Sequence, residues 1–199
     1  PIAVASDESF VIRSYSPMET IAGGVVLDSN PYHWRIEKNR IHLLPRLPKE
    51  RFKYWVNTQW QSPKSLKDWS LIFFVSSSHI SEWMNEYGIL PDDKTGIVYS
   101  VEMEEVTQNA IIKSLENFYE KNPLRNVIPG DSILDDCEIT SLWGNEILYR
   151  MVKKLMLEKL GKGYSISGYE YTLNKTDQLD MGKIKRLFQS NTFDLLSVK

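Results

Sequence analysis

The chain has 199 residues, of which 42% are hydrophobic and 25% are charged, and its formal net charge is −2. These proportions are typical of a folded globular protein and exclude a disordered, low-complexity chain. No apolar stretch approaches the roughly 18 residues that a membrane-spanning helix needs, and no basic segment followed by an apolar one marks a secretory signal. The sequence therefore predicts a cytoplasmic protein without a membrane span.

The near-neutral charge averages over segments of opposite sign. Residues 35–67 carry nine Lys or Arg against two Glu, a net +7. Residues 68–149 carry four basic against fifteen acidic residues, a net −11, and residues 150–199 carry ten against five, a net +5. Such blocks indicate either solvated faces or surfaces for a charged partner, and the basic ones would suit an acidic polymer.

Two strands are predicted near the start of the sequence. β-Branched and aromatic residues at 9–14 and 21–27 flank the turn-forming pair Ser16 and Pro17, which indicates a β-hairpin. Two strands alone cannot bury a core in water, so the hairpin is expected to dock on another part of a protein.

Three helices and a second hairpin are predicted between residues 48 and 101. Pro48 suits the first position of a helix, residues 62–63 open the next one, and Ser78 can cap a third that ends at Gly88. Apolar residues recur at helical spacing, as on a buried face: Phe52, Trp55, Val56, Trp60, Leu66, Trp69, Ile80, Trp83, Met84 and Tyr87. The turn-rich segment 91–96 between two short apolar runs then predicts a hairpin.

The same order of elements is predicted to recur. A helix over residues 104–121 is followed by a short helix capped by Ser132, by a helix capped by Asn145 that ends before Gly161, and by a hairpin that turns at Gly168. The residues expected inside are Val106, Ala110, Leu115, Phe118, Ile133, Leu134, Ile147, Leu148, Met151, Val152, Leu155 and Leu160. A last helix after residue 176 would bury Leu179, Ile184, Leu187 and Phe188.

A helix-turn-helix followed by a hairpin is the order of the winged-helix fold. The sequence therefore predicts a mainly α fold with small β-sheets, in which tandem winged-helix modules follow a β-hairpin. The expected divisions are the hairpin at 1–30, a first module with a basic linker at 31–102, a second module at 103–175, and a C-terminal helix or the start of a third module at 176–199.

No group of residues is typical of a catalytic, nucleotide or metal site. The acidic run 131–138 suits helix starts and turns, and Ser76–Ser78 before His79 lacks the pattern of a nucleophile elbow. Neither phosphate-binding glycine motif is present, and the three histidines lack ligand spacing. We therefore expect no catalytic residue, metal or cofactor in this chain, and a structural role for the single Cys137.

Nucleic-acid binding is the function that the basic residues favour. The third helix of the first unit carries Glu82 and Glu86 and is interpreted as structural, whereas its counterpart in the second unit is basic. The linker after the first hairpin, where basic and aromatic residues alternate, is a second candidate. The predicted RNA contacts are Arg150, Lys153, Lys154 and Lys162 in the second unit and Arg35, Lys38 and Arg40 in the linker.

Residues 10–28 read F-V-I-R-S-Y-S-P-M-E-T-I-A-G-G-V-V-L-D. They resemble the closing strands of the third domain of translational GTPases related to elongation factor Tu, and most closely those of the bacterial selenocysteine-specific elongation factors (the SelB family). In that family an F-x-x-R strand leads to T-I-G-G-G-x-V-L-D and then to a chain of winged-helix modules. Ala22 stands where the family usually has glycine. Residues 116–124 also look like the first helix of an internal module of this family.

The resemblance implies a C-terminal fragment that joins the GTPase and tRNA-binding body to the modules that bind the selenocysteine-insertion hairpin of an mRNA. The fragment would act as a monomeric RNA-binding spacer arm, whose partners through the parent protein are that mRNA, selenocysteyl-tRNA and the ribosome. GTP and magnesium would belong to the parent protein. Arg13, Thr20, Gly23 and Gly24 match the barrel motif and are given a structural role.

Two other functions remain open on the sequence. A winged-helix DNA-binding regulator would dimerise and bind a specific duplex. A protein-interaction scaffold would bind a basic partner through the acidic segment 68–149.

Overall fold

The computed structural model describes residues 4–28, 41–122, 125–169 and 175–190. Within them the chain is mainly helical with three small antiparallel sheets, which confirms the predicted mainly α composition with small β-sheets. No helix in these ranges combines the length and the apolar character needed to cross a membrane.

The predicted first hairpin is present. Strands β1 (Ser9–Arg13) and β2 (Thr20–Val25) pair antiparallel. The ring of Phe10 lies close over Gly24, where a Cβ would come within 2.6 Å of Phe10 Cζ, so a side chain at this position would require the ring to move. Every residue of β1 is exposed, so the described residues do not cover the apolar side chains of the hairpin.

An ion pair connects the segment before β1 to the first helix of the next unit. The side chain of Arg51 is fully buried, donates to the carboxylate of Asp7, which is 31% exposed, and also donates to the carbonyl of Pro45 at 3.0 Å. Among the described residues, this pair ties the approach segment of the hairpin to that helix.

The first helical unit contains α1 (Pro48–Thr58), α2 (Leu66–Phe73) and α3 (Ser77–Tyr87), followed by the paired strands β3 (Leu90–Pro91) and β4 (Val98–Tyr99). An antiparallel bridge between Ser65 and Ile97 places the residue before α2 beside the last strand. Its core is an aromatic cluster of Phe52, Trp55, Trp69, Phe73 and Trp83.

Two helix starts in this unit differ from the sequence prediction. Helix α2 begins after Ser65, whose hydroxyl accepts from the backbone of Asp68 while the Asp68 carboxylate accepts from the Ser65 backbone. This reciprocal capping box satisfies two backbone donors, which residues 62–63 cannot do. Ser76, and not Ser78, caps α3. The predicted end of α3 is confirmed, since Gly88 has a φ of 64°.

The second unit repeats the order of three helices and a hairpin, with a longer first helix, a longer hairpin and an additional strand before its second helix. It contains α4 (Val101–Lys121), β5 (Ile128–Pro129), α5 (Gly130–Asp136), α6 (Ser141–Lys153), β6 (Leu157–Leu160) and β7 (Gly163–Ile166). The strand before α5 again lies beside the last strand, so that the sheet order is β5-β7-β6. Helix α4 spans the predicted division between residues 102 and 103.

Several details predicted for this unit are wrong. The hairpin turns at Gly161, whose φ is 63°, and not at Gly168. Leu155, expected inside, is 80% exposed because its left-handed backbone ends the helix, and Leu160 lies exposed on β6. Val106 is also exposed, because the buried face of α4 follows other positions: Met103, Thr107, Ile111 and Leu115.

Helix starts are displaced here as well. Helix α4 begins at Val101 with Ser100 as its cap, and both Ser132 and Asn145 lie inside helices that begin at Gly130 and Ser141. The predicted strand at 169–173 falls almost wholly outside the described residues.

The final predicted helix is present as α7 (Lys175–Ser190). Leu179, Ile184 and Phe188 were expected inside but are exposed among the described residues. The side chain of Leu187 lies outside the described part of the chain.

Candidate nucleic-acid interface

Helix α6 carries two of the predicted RNA contacts, Arg150 and Lys153, and a third, Lys154, caps its C-terminal end. Its inner face packs into the core through residues at helical spacing: Trp143, Ile147, Leu148 and Met151. Gly144 lets the helix approach α5, because a Cβ at that position would overlap the side chain of Leu134. The outer face exposes Leu142, Asn145, Tyr149 and Lys153.

Arg150 lies at the edge of α6, where it pairs with three carboxylates. Its guanidinium donates to Asp92, to Glu104 at 2.6 Å and to Glu146 at 3.1 Å. Asp92 belongs to the loop between β3 and β4 of the first unit, whereas the other two acids belong to α4 and α6. The side chain of Arg150 is only 18% exposed. This placement favours a role in joining the two units over contact with a phosphate.

Two aromatic rings also contact the guanidinium of Arg150. Arg150 lies 4.5 Å from the ring centroid of Tyr99 and 5.7 Å from that of Trp143, and the two ring centroids are 5.4 Å apart. We define the joint by the residues that meet here: Asp92, Tyr99, Glu104, Trp143, Glu146 and Arg150. A second set of contacts lies at Gln61, whose side-chain amide donates to the carbonyl of Cys137 at 3.0 Å and whose backbone carbonyl accepts from the backbone of Thr140 at 2.9 Å. The two units therefore meet at Gln61 as well as at the joint.

Two acids of the joint have shifted pKa values. Burial opposes the ionisation of Asp92, but hydrogen bonds from Thr95 and Arg150 outweigh it and lower its pKa. Burial likewise opposes the ionisation of Glu104, and hydrogen bonds from Lys154 and Arg150 lower the pKa of that residue. Both carboxylates are thus held ionised by their partners.

We expect the chain to lose stability as acid protonates the joint. A carboxyl whose pKa is lowered by folding contributes stability above its unfolded pKa of about 4, and this contribution is lost as the pH falls through the folded value. Urea unfolding from pH 7 down to pH 3 should therefore show a free energy of unfolding that declines below about pH 4. Asp92→Asn should reduce this decline, whereas the exposed neighbouring Asp93→Asn should leave it unchanged. Equal pH dependence in both variants would contradict the assignment.

The other predicted RNA contacts differ in how far their side chains are exposed to solvent. Lys154 pairs with Glu104 at 2.8 Å, although its side chain remains half exposed. Lys153 is exposed, with its ammonium 4.8 Å from the centroid of the Tyr149 ring. Lys162 is exposed in the turn between β6 and β7. The linker candidates Arg35, Lys38 and Arg40 lie outside the described residues.

In the described part of the basic block 35–67, some cations are drawn into the fold or paired, whereas Arg46, Lys53 and Lys67 are exposed. Lys49 pairs with Glu86 at 2.6 Å, and Arg51 is buried. Lys53 lies 5.3 Å from the ring centroid of Tyr87. Lys64 lies over Trp69, and burial lowers its pKa. The positive charge of this segment therefore does not translate into an equally positive surface.

The sequence did not predict that Lys94 would lie against the outer face of α6. Lys94, from the loop between β3 and β4, lies 4.0 Å from the ring centroid of Tyr149 and 3.1 Å from the carboxylate of Glu146. Tyr149 is 44% exposed. No local pattern connects these residues, because they meet only when the two units pack together.

Comparison with known proteins gives this surface no assignment. No family model matches the chain, and no curated protein shows significant similarity to it. The resemblance to selenocysteine-specific elongation factors therefore has no support beyond residues 10–28 and 116–124 themselves. The outer face of α6 and the hairpin after it remain as the structural basis for a functional proposal.

Proposed function

We propose that this chain is an RNA-binding spacer arm of a selenocysteine-specific elongation factor, acting in the cytoplasm, and that its two helical units are winged-helix modules. The order of elements in both units and the sheet order β5-β7-β6 support the module assignment. The motif at residues 10–28 supports the family assignment.

The RNA proposal is based on basic residues that are exposed on α6 and on the β6–β7 hairpin after it. Helix-turn-helix proteins place their second, recognition helix against nucleic acid, and in the winged order this corresponds to α6. Lys153 is exposed at the end of α6, and Lys159 and Lys162 are exposed on the hairpin. Exposed lysines of this kind contribute affinity by replacing the counterions of phosphates.

Arg150 and Lys154 have a different role in this proposal. Their pairing with Glu104 and, for Arg150, with Asp92 commits them to the joint. A spacer arm must keep its two ends at a defined distance and orientation. A joint with paired side chains limits bending between its two modules. Among the described residues, the proposed RNA contact thus keeps Lys153 and Lys162 from the predicted set and adds Lys159, while Arg35, Lys38 and Arg40 stay predictions.

The first hairpin favours a protein contact beside the RNA contact. Val11, Ile12 and Ile21 are each about half exposed or more, and an isolated two-stranded hairpin is marginally stable in water. The rest of a translation-factor barrel would cover these side chains in the proposed parent. The same observation favours, as a second candidate, a scaffold whose hairpin binds an unrelated protein.

The RNA proposal is tested by measuring the affinity of the chain for a hairpin RNA as a function of salt. We expect a negative salt dependence of the binding constant, with a slope near −0.7 to −0.9 for each phosphate contacted. Combined Lys153→Glu and Lys162→Glu should weaken binding about tenfold or more and reduce the slope by about one unit for each lysine.

A matched control is Lys113→Glu, which changes an exposed lysine on α4 and should preserve binding. Lys154→Glu is unsuitable, because it would place a second carboxylate against Glu104. Equal affinity for random duplex DNA would favour a DNA-binding regulator. The absence of salt-dependent binding to either nucleic acid would overturn the proposal and favour the scaffold.

A further inference from the structure

The outer face of α6 holds an aromatic ring between two lysines from different units. The ammonium of Lys94 lies 4.0 Å from the ring centroid of Tyr149, and that of Lys153 lies 4.8 Å from it. Lys94 comes from the loop between β3 and β4, whereas the other two residues lie on successive turns of α6. This cluster therefore exists only in the packed arrangement of the two units.

The charge of this cluster is positive on its exposed side. Glu146 faces Lys94 at 3.1 Å, but its nearly buried carboxylate also accepts from Arg150. Asp92 and Glu104 are likewise turned toward Arg150. The interaction of the Tyr149 hydroxyl with Lys153 lowers the pKa of Tyr149, with a smaller effect of Lys94, and it raises the pKa of Lys153. The Lys153 ammonium thus remains charged beside an exposed ring.

An exposed tyrosine with adjacent lysines offers two kinds of contact to a nucleotide. An aromatic ring stacks on a base when that base is unpaired, whereas a duplex keeps its bases within its own stack. Ammonium groups on flexible four-carbon stems can move from the ring to the flanking phosphates when a base takes their place. A loop or a single strand therefore matches this cluster better than a duplex does.

We propose that Lys94, Tyr149 and Lys153 form a composite site for an unpaired nucleotide of RNA, with the base stacked on Tyr149 and the adjacent phosphates at the two lysines. This inference depends on the proposed RNA-binding function and specifies the form of RNA that the surface takes. In this proposal the packing of the two modules forms the site, since each module supplies part of it.

The test compares a hairpin RNA that has an unpaired loop with a blunt RNA duplex of the same length. Tyr149→Leu should weaken binding of the loop RNA by at least about fivefold and leave duplex binding unchanged. Tyr149→Phe keeps the ring and should stay within about twofold of the wild-type chain. Lys94→Gln should reduce the salt slope for the loop RNA by about 0.7.

The control is Lys67→Gln, which removes an exposed lysine from α2 in the same unit as Lys94. Urea midpoints equal to that of the wild-type chain would show that the variants are folded. As a measurement independent of any substitution, iodouridine in the loop should photocrosslink to Tyr149, because that reaction needs a stacked ring.

The two proposals fail in different ways. If the wild-type chain binds hairpin RNA but Lys94→Gln and Tyr149→Leu behave as Lys67→Gln does, the composite site is wrong and the RNA-binding function stands. If loop and duplex RNA bind equally well and the crosslink maps elsewhere, the composite site is also wrong. If the wild-type chain binds no RNA, both proposals are overturned.

Discussion

Replacing Arg150 with methionine is expected to lower the free energy of unfolding by about 3–5 kcal/mol. The substitution keeps much of the side-chain volume but leaves Asp92 and Glu104 without the guanidinium that compensates them. An uncompensated buried carboxylate costs far more than a surface ion pair contributes. Urea unfolding followed by tryptophan fluorescence at pH 7 measures the loss.

Lys154→Met is the matched control for this substitution. It removes another cation from Glu104, but the Lys154 side chain is 54% exposed, so the expected loss is below about 1 kcal/mol. Adding Asp92→Asn and Glu104→Gln to Arg150→Met should restore part of the stability, because these changes remove two carboxylates that have lost the guanidinium. If Arg150→Met costs no more than Lys154→Met, the joint is not organised around Arg150.

Replacing Trp143 with alanine is expected to cost about 3–5 kcal/mol. The side chain is fully buried, its indole donates to the hydroxyl of Thr107 at 3.3 Å, and its ring contacts Tyr99 of the first unit. Truncation would open a cavity at the place where the two units meet. Urea unfolding measures the effect, and a second transition would reveal units that no longer unfold together.

Two further variants separate the cavity from other effects. Trp143→Phe should cost only about 1–2 kcal/mol, because the ring is retained and the Thr107 hydroxyl keeps its bond to the carbonyl of Met103. Trp60→Ala truncates a partly buried tryptophan in the first unit and should cost less than Trp143→Ala. Equal losses at the two tryptophans would contradict a central role for Trp143.

These two residues bear on the proposed spacer function as well as on stability. Arg150 lies at the edge of α6 and Trp143 on its buried inner face, and both contact the first unit, which also supplies Lys94 to Tyr149. A chain weakened at the joint should therefore also bind loop RNA less well, even when each module retains its own fold. The spacer and the composite site depend on the same packing between units.

The predicted helices were mostly right in their buried faces and often wrong in their first residues. Phe52, Trp69 and Ile80 are buried as their spacing predicted, because this spacing is set by the 3.6-residue turn of the helix. The start of α2 depends instead on which serine has a reciprocal partner three residues later, and Asp68 selects Ser65. Several serines and asparagines can cap a helix on sequence grounds, and the local bonds choose among them.

The candidate site differs more from its prediction. The sequence predicts Arg150 as a phosphate contact because it shares a helix face with other basic residues, but its surroundings contain three acids from three elements. Lys94 lies in a turn-rich segment where no neighbouring residue predicts a role for it. Both differences arise because the partners of a charged side chain are set by residues distant in the sequence.

The sequence by itself determined the near-neutral net charge with its alternating blocks, the helical and hairpin order of the elements, and the first hairpin with its family-like motif. These features are local, since a helix face or a hairpin depends on residues within a few positions of one another. Only the tertiary structure decided which basic residues stay on the surface, how β5 joins β7 in the sheet of the second unit, and where the two units meet. Packing brings distant charges together, and their mutual compensation leaves Lys94 and Lys153 beside an exposed Tyr149 while it commits Arg150 to the joint.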